Sequence, residues 1–318
     1  MRRTALILAM LALAGPAPAQ TSQKPIEIIV PFAPGASADG IARLIGQDLG
    51  LRLGRPVTIE NKAGAGGTLG LVALAKAPPD GDTLAVGATG ALVISPNLPG
   101  ATGFDPLREL APVAKLIEIP IVVVANPDTG PKTIAEMIAR AKQGPNGLSY
   151  GSTGVNSGQH LVMEFLKKAT GANLVHVPYR GSAPAVTDLL GGQIPLASVD
   201  LTSALPHIAA GRLIALGVPS ATRTSLAPDI PTIAEAGVPG FARAAGFIGL
   251  FAPAGTPRPV IRRLSVAVGE TLATPDAKAK VKLLAAEAAY ADDESFATFL
   301  ASESARWKEA LAAMPASN

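Results

Sequence analysis

Two hydrophobic periods alternate along the chain. Ile26 to Val30 is a short run rich in β-branched residues, followed by the small-residue stretch PFAPGASADG. Beyond it Ile41, Leu44, Ile45, Leu49 and Leu51 recur at helical spacing, so a strand, a loop and an amphipathic helix are predicted in that order. The sequence then repeats itself in kind. Val57 to Glu60 reads as a strand, NKAGAGG as a loop and TLGLVALAKA as a helix; Thr83 to Val86 then runs into GATG. Strands that end in glycine-containing loops and are separated by helices predict βαβ units with parallel pairing.

The middle of the chain has the same grammar. GLSYGSTGVNSGQHLVMEFLKKATG is a strand, a Gly/Ser loop and a helix with Leu161, Val162, Phe165 and Leu166 on one face. NLVHVPYRGSAPAVTDLLGG and QIPLASVDLTSALPHI continue the alternation. Two topologically similar α/β lobes are therefore expected, each a mainly parallel sheet flanked by helices. The strand-like stretches 116–127 and 244–257 flank the middle lobe and predict a two-strand hinge. Lobe 1 is placed at 24–121 plus 247–318 and lobe 2 at 122–246, with the C-terminal helices returning to lobe 1.

Composition narrows the class. Of the 318 residues, 48% are apolar and 16% charged, enough for a well-buried core, and cysteine is absent, which removes disulfides and thiol chemistry. The net charge of +3 includes Arg2 and Arg3, and no basic cluster interleaved with aromatics occurs, so nucleic acid is not an expected partner. The opening MRRTALILAMLALAGPAPAQ has a basic start, an apolar middle and the small-residue site Ala17-Pro18-Ala19. That pattern predicts a signal peptide over 1–19 and a periplasmic product.

Ligands of open α/β sheets bind beyond the carboxyl ends of the strands, where a helix N-terminus offers unpaired amides and partial positive charge. Small residues let an anion approach those amides without a basic side chain. Ala33, Gly35, Ala36 and Ser37 form one such loop; Ser152, Thr153, Gly154, Asn156 and Ser157 form the other. Around them, Phe32 is either strand-end packing or an apolar wall. Asp39 either caps the first helix or binds a ligand hydroxyl. Asp200 either caps a helix or faces the cleft as an acceptor. Arg180, after Tyr179, is either a solvated loop cation or an attractor of acidic ligands.

Catalytic signatures are missing: no G-x-S-x-G, S-x-x-K, H-E-x-x-H or P-loop occurs, and GAGGTLG departs from G-x-G-x-x-G at Leu69. His160, His176 and His207 lack the spacing of a helical metal site. Neither a cofactor nor a metal is expected. The rival readings are a secreted hydrolase or lyase using Asp200 or His160 as base, and a receptor that signals to a partner protein.

Taken in order, VPFAPG, ENKAGAGG, PDGDTL, YGSTG, HVPYRGSAPAVTDLLGGQI, SALPHIAAGRLIALGV, PTIAEAGVPGF and GLFAPAGTP resemble the periplasmic solute receptors of tripartite tricarboxylate transporters, the Bug-type receptors. The likeness covers nearly all of the chain after the leader. It implies a Venus-flytrap fold of the type II-like, two-lobed kind, here expected as a monomer. Such a receptor closes on a small carboxylate and delivers it to membrane permease subunits. It further implies that the carboxylate is grasped between Phe32 to Asp39 and Ser152 to Ser157, partly through water, with Asp200 near the cleft. Tyr179 and Arg180, after the second strand of lobe 2, and Thr89, near the start of the third loop of lobe 1, are further candidates from the sequence itself. The chain departs from the family pattern at Gly35-Ala36, where Gly-Gly is frequent, at Lys62-Ala63, where Arg-Pro is usual, and at Arg180, where Lys is frequent. It also departs at GFIGL, where an aromatic pair containing Trp is frequent.

Overall fold

A computed structural model describes residues 24–98, 103–143, 146–241 and 246–312. The expected signal peptide lies outside the described residues. In the first lobe β1 (Ile26–Val30) leads into α1 (Ser37–Leu53), β2 (Val57–Asn61), α2 (Thr68–Ala75) and β3 (Thr83–Ala88). β1 pairs in parallel with both β2 and β3. The β1 run is apolar apart from the half-buried Glu27 because both of its faces are covered. Ile28 and Val30 pack with Ile41, Ile45 and Leu49 of α1, while Ile29 on the opposite face joins Leu71 and Leu74 of α2. A single π-helical turn, Gly90–Ile94, and a short α3 (Pro106–Glu109) then lead to β4 (Leu110–Ile119).

One residue, Pro120, separates β4 from β5 (Ile121–Ala125), yet the two strands belong to different sheets. In the second lobe α4 (Ile134–Lys142), β6 (Leu148–Ser152), α5 (Gly158–Thr170), β7 (Leu174–Pro178), α6 (Ser182–Leu190), β8 (Leu196–Asp200), α7 (Leu201–Ala209) and β9 (Ile214–Gly217) follow. The chain re-enters the first sheet as β10 (Gly246–Pro253) and finishes with α8 (Arg258–Ala273), α9 (Pro275–Leu283), β11 (Glu287–Ala291) and α10 (Asp293–Ala312).

The strand orders are β11-β4-β10-β3-β1-β2 and β7-β6-β8-β5-β9. Both sheets are mixed. The parallel pairs are those the βαβ pattern predicts, β1 with β2 and β3, and β6 with β7 and β8. Strands on either side of the crossings run the other way: β10 is antiparallel to β3 and β4, and β5 is antiparallel to β8 and β9. A strand handed over from the opposite lobe enters its sheet without a crossover helix, so the handedness rule that makes βαβ strands parallel does not act on it.

Contacts between the lobes are local and directional. Ala33 N donates to Arg180 O at 2.8 Å, and at the hinge Leu201 N donates to Pro120 O at 2.9 Å. On the far side Ser225 Oγ donates to Glu287 at 2.6 Å. Gly90, at the start of the π-helical turn, approaches the other lobe so closely that a Cβ would lie 2.8 Å from Ser157 Cα. That distance is shorter than any carbon–carbon contact tolerates.

Beneath the loop between β6 and α5 lies a packed group of titratable side chains. The His160 and His176 rings stack at 4.0 Å, and His176 stacks in turn on Tyr150 at 5.1 Å. His176 Nε2 meets Ser152 Oγ at 2.6 Å, and His160 Nδ1 accepts from Asn156 N at 3.1 Å. Tyr150 donates its hydroxyl to Glu164 at 3.0 Å. Burial pulls both imidazoles down to about 4, with Lys167 adding to the effect on His160 and His160 adding to that on His176. An imidazole freed by unfolding titrates near about 6.5. Between about pH 6.5 and 4 the unfolded chain therefore binds more protons than the folded one, and stability rises with pH across that window. Thermal melts are expected to show the melting temperature falling as pH drops through this range. Replacing His160 with Gln should flatten the fall, and an unaltered pH profile in that variant would show that the pair does not set it.

Candidate functional site

Where the lobes meet, the C-terminal ends of β1, β3, β6 and β8 surround a small cavity of about 40 Å³. Its polar rim is built from first turns of helices: Ala36, Ser37 and Ala38 from α1, Ser157, Gly158 and Gln159 from α5, Ser182 from α6, and Asp200 at the start of α7. Apolar walls come from Phe32, Ile119, Ile121, Phe247 and Ile248. Among the described residues Asp200 is the only ionisable one on the lining, and no Lys or Arg of those residues lines it.

The lobe 1 loop is fixed from behind. Asp39 Oδ2 accepts from Gly35 N at 3.3 Å and from Arg43 Nε at 3.0 Å, while Oδ1 accepts from Arg43 Nη2 at 2.9 Å and Asn61 Nδ2 at 3.1 Å. Burial pushes the Asp39 carboxyl up, but the hydrogen bonds from Arg43, Asn61 and Gly35 outweigh it and hold the group below its usual range. Asn61 also donates to Phe32 O at 3.0 Å. Asp39 is therefore engaged with its own loop and helix and does not line the cavity. Ala36 stands at φ −105° and ψ 178°, extended backbone that any residue adopts, so its methyl in place of a glycine hydrogen carries no strain. The amides of Ser37 and Ala38 make no hydrogen bond among the described residues.

The lobe 2 loop is fixed in a similar way. Ser152, fully buried, accepts from Gly154 N at 3.1 Å and contacts His176. Gly154 adopts φ +128°, and a Cβ there would sit 3.0 Å from Gly66 N of the opposite lobe, so only glycine serves both the turn and the approach. Asn156 takes the left-handed region at φ +62°, which asparagine tolerates better than most residues. The Ser157 hydroxyl caps α5 by accepting from His160 N at 3.2 Å and donates to Gly154 O at 2.8 Å, so it is occupied in shaping the loop. The next amides, of Gly158 and Gln159, make no hydrogen bond among the described residues.

Asp200 joins the lobes. Its Oδ2 accepts from Ser37 Oγ of lobe 1 at 2.7 Å and its Oδ1 accepts from Gln159 Nε2 of lobe 2. Its amide donates to Ser182 Oγ at 3.1 Å. Gln159 is positioned by Thr153 Oγ1, which donates to its Oε1 at 2.8 Å. Burial pushes the Asp200 carboxyl above its usual range against the opposing hydrogen bonds of Ser37, Gln159 and Ser182. Asp200 stands at the N-cap position of α7 without a side-chain cap bond, so its carboxylate is spent on the cleft and not on its own helix.

Of the residues singled out in the sequence, Phe32, Ala36, Ser37, Thr89, Thr153, Ser157 and Asp200 line this cavity. Ala33, Gly35, Asp39, Ser152, Gly154, Asn156, Tyr179 and Arg180 do not. Thr89 Oγ1 accepts from Phe247 N at 2.8 Å and so ties the third loop to β10. Tyr179 donates its hydroxyl to Asp188 at 2.8 Å, and burial pushes its phenol up to about 12. The Arg180 side chain is exposed, and it is the carbonyl of this residue that meets the other lobe. Gln159 and Ser182 were not anticipated. Each stands in the first turn of a helix that follows a small-residue loop, and that position was the available signal.

The pattern of the tripartite tricarboxylate transporter family receptor matches residues 41–315. The chain is 36% identical to Protein BugT of Bordetella pertussis over 307 residues, covering 95% of this chain and 93% of that protein. Among solved structures, MatC from Rhodopseudomonas palustris with bound malate is 32% identical with a TM-score of 0.82, over 89% of this chain and 97% of MatC. An R. palustris protein solved with adipate is also 32% identical, with a TM-score of 0.81 over 89% of this chain and 95% of its own. With the family pattern spanning most of its length and two lobes enclosing a cleft of helix starts, this chain belongs to the tripartite tricarboxylate transporter receptors, a family of periplasmic solute-binding proteins.

Proposed function

We propose that this receptor captures a small carboxylate between its lobes, as an exported monomer, and presents it to the membrane permease subunits of a tripartite tricarboxylate-type transporter. The observation that carries the reading is that Ser37, Ala38, Gly158 and Gln159, whose amides make no hydrogen bond among the described residues, line one cavity on which those residues place no cationic side chain. Amides at helix starts suit a carboxylate because they donate along the helix axis, where the dipole adds favourable potential. The malate and adipate held by the two R. palustris relatives support the same ligand class. Phe32, Ile119 and Phe247 are read as the wall for the ligand's carbon chain. Thr153, Gln159, Ser182 and Asp200 are read as its polar limits. Asp39, Ser152, Gly154, Asn156 and Ser157 are assigned to holding the loops, and Ala33, Gly35, Thr89, Tyr179 and Arg180 to their backbone course and the junction.

The ligand is expected to leave unaltered. Ser152 and His176 form a serine–imidazole contact, but the Ser152 hydroxyl is sealed inside lobe 2 and committed to Gly154. A hydroxyl with no access to the cleft is not a nucleophile for its contents.

Calorimetry against malate, adipate and shorter monocarboxylates tests the reading, with saturable binding to at least one expected and a matching rise in melting temperature. Failure of every carboxylate alongside binding of a neutral or cationic solute would overturn it. Ser157→Ala removes a helix cap, so a loss of about 1 kcal/mol in stability is expected, together with weaker binding through a loosened loop. Unchanged affinity in a variant that melts earlier would leave Ser157 a purely structural residue. Gly90→Ala tests closure itself. Its methyl would meet Ser157 across the junction, so affinity should fall at least about tenfold while lobe folding persists. X-ray scattering should find the liganded variant wider than the liganded parent, and equal scattering profiles and affinities would show that the lobes need not meet this closely.

A further inference from the structure

We infer that closing the lobes on a carboxylate draws a proton from solvent onto the Asp200 carboxyl, so that the receptor takes up its ligand together with H⁺. This rests on the carboxylate reading above and concerns what else must enter the cleft with the anion. The carboxyl of Asp200 lines the same small cavity as the free amides of Ser37, Ala38, Gly158 and Gln159. Its partners, Ser37, Gln159 and Ser182, are all neutral. A ligand carboxylate seated on those amides therefore faces a second carboxylate across a few ångströms, with no cation of the described residues on the lining between them. Two carboxylates that share a site do not both stay ionised; one of them keeps a proton.

The surroundings leave Asp200 as the group that takes it. On α1 the nearest ionisable residue is Asp39, whose two oxygens are filled by Arg43, Asn61 and Gly35. On α5 it is His160, which must stay unprotonated at Nδ1 to accept from Asn156 N and which burial holds near 4. The α6 start contributes Ser182, the β5 neighbour of Asp200 is Ile121, and the lobe 1 wall contributes Thr89, Phe247 and Ile248, none of them titrating. Burial already favours the neutral form of Asp200, and an incoming anion adds to the same direction. A protonated Asp200 keeps one oxygen to accept from Ser37 or Gln159 and offers its new O–H to the ligand. The group that repels an anion when ionised becomes a donor to it when neutral.

The balance is simple: a carboxylate and one proton enter, and no covalent bond to the ligand forms or breaks. Binding that takes up a proton weakens as pH rises, by up to about tenfold in Kd per pH unit where uptake is complete. Calorimetry with malate, adipate and shorter monocarboxylates, in two buffers of different ionisation enthalpy at about pH 7, reads the proton count directly. For the parent protein a net uptake approaching one per ligand is expected. Asp200→Asn retains the shape and the acceptor oxygen, and its melting temperature reports that it folds. In this variant the uptake should vanish and Kd should become flat from about pH 6 to 8, tighter than the parent at the upper end. Binding with no buffer-dependent heat, or an uptake that survives in Asp200→Asn, overturns this inference and leaves the receptor reading intact. No binding of any carboxylate by the parent overturns both.

Discussion

Ser37 and Asp200 stand 163 residues apart in the chain and 2.7 Å apart in the fold, one on each lobe. Their hydrogen bond marks the place where helix starts converge, and the energetics of the cleft are decided there. A hydrogen bond from an amide to a charged group contributes about 1.5 to 3 kcal/mol. The free amides of Ser37, Ala38, Gly158 and Gln159 thus offset a large part of the cost of burying one carboxylate. A second anion is another matter. Two charges about 5 Å apart in a medium of effective dielectric about 20 repel by roughly 3 kcal/mol. That is comparable to a whole amide contact, so the protonation state of Asp200 matters as much as any single donor.

Everything behind the cleft serves to hold those amides still. In lobe 1 Asp39 gathers Gly35, Arg43 and Asn61 around two oxygens, and Asn61 reaches on to Phe32. In lobe 2 Ser152, Ser157 and His160 each bond to the backbone of the loop between β6 and α5. These contacts lie within single lobes and do not depend on the junction. The donor loops are therefore organised before the lobes meet, and closure need not also order them, which lowers the entropic cost of binding. Pro120 is the only residue between β4 and β5, so this crossing between the lobes is short.

Much of this architecture is visible in the sequence because burial on both faces makes β5 read as a continuous apolar run and β1 as one broken only by Glu27, and the loop after β1 is conspicuously small. The family motifs carry the rest of the fold. Two of the antiparallel strands were less legible: β11 is the weakly apolar EAAYA and β9 only four residues long, so neither has a period to detect. At the site, Ser37, Thr153, Ser157 and Asp200 fall at the cavity as their loop positions suggest. Gln159 and Ser182 escaped notice because helical spacing does not say which side chain of a first turn faces inward. Asp39 had two readings on sequence grounds. The pairing with Arg43 one turn along α1 and with Asn61 at the end of β2 settles where its side chain points, and only the three-dimensional register of β1 on β2 brings Asn61 there.

The same geometry explains why a chain containing a serine–imidazole contact has the layout of a receptor. Ser152 and His176 come together at 2.6 Å, a separation that would suit a nucleophile and its base. But His176 stacks between Tyr150 and His160 inside lobe 2, and the Ser152 hydroxyl also bonds to Gly154. The hydroxyl that a catalyst would aim into the cleft is turned inward to shape the loop whose amides face it. Chemistry needs a reactive atom and a substrate at the same point, whereas capture needs only donors at fixed positions. Lobe 2 places this serine–imidazole contact on the protein side of the backbone and leaves the loop's amides for the ligand.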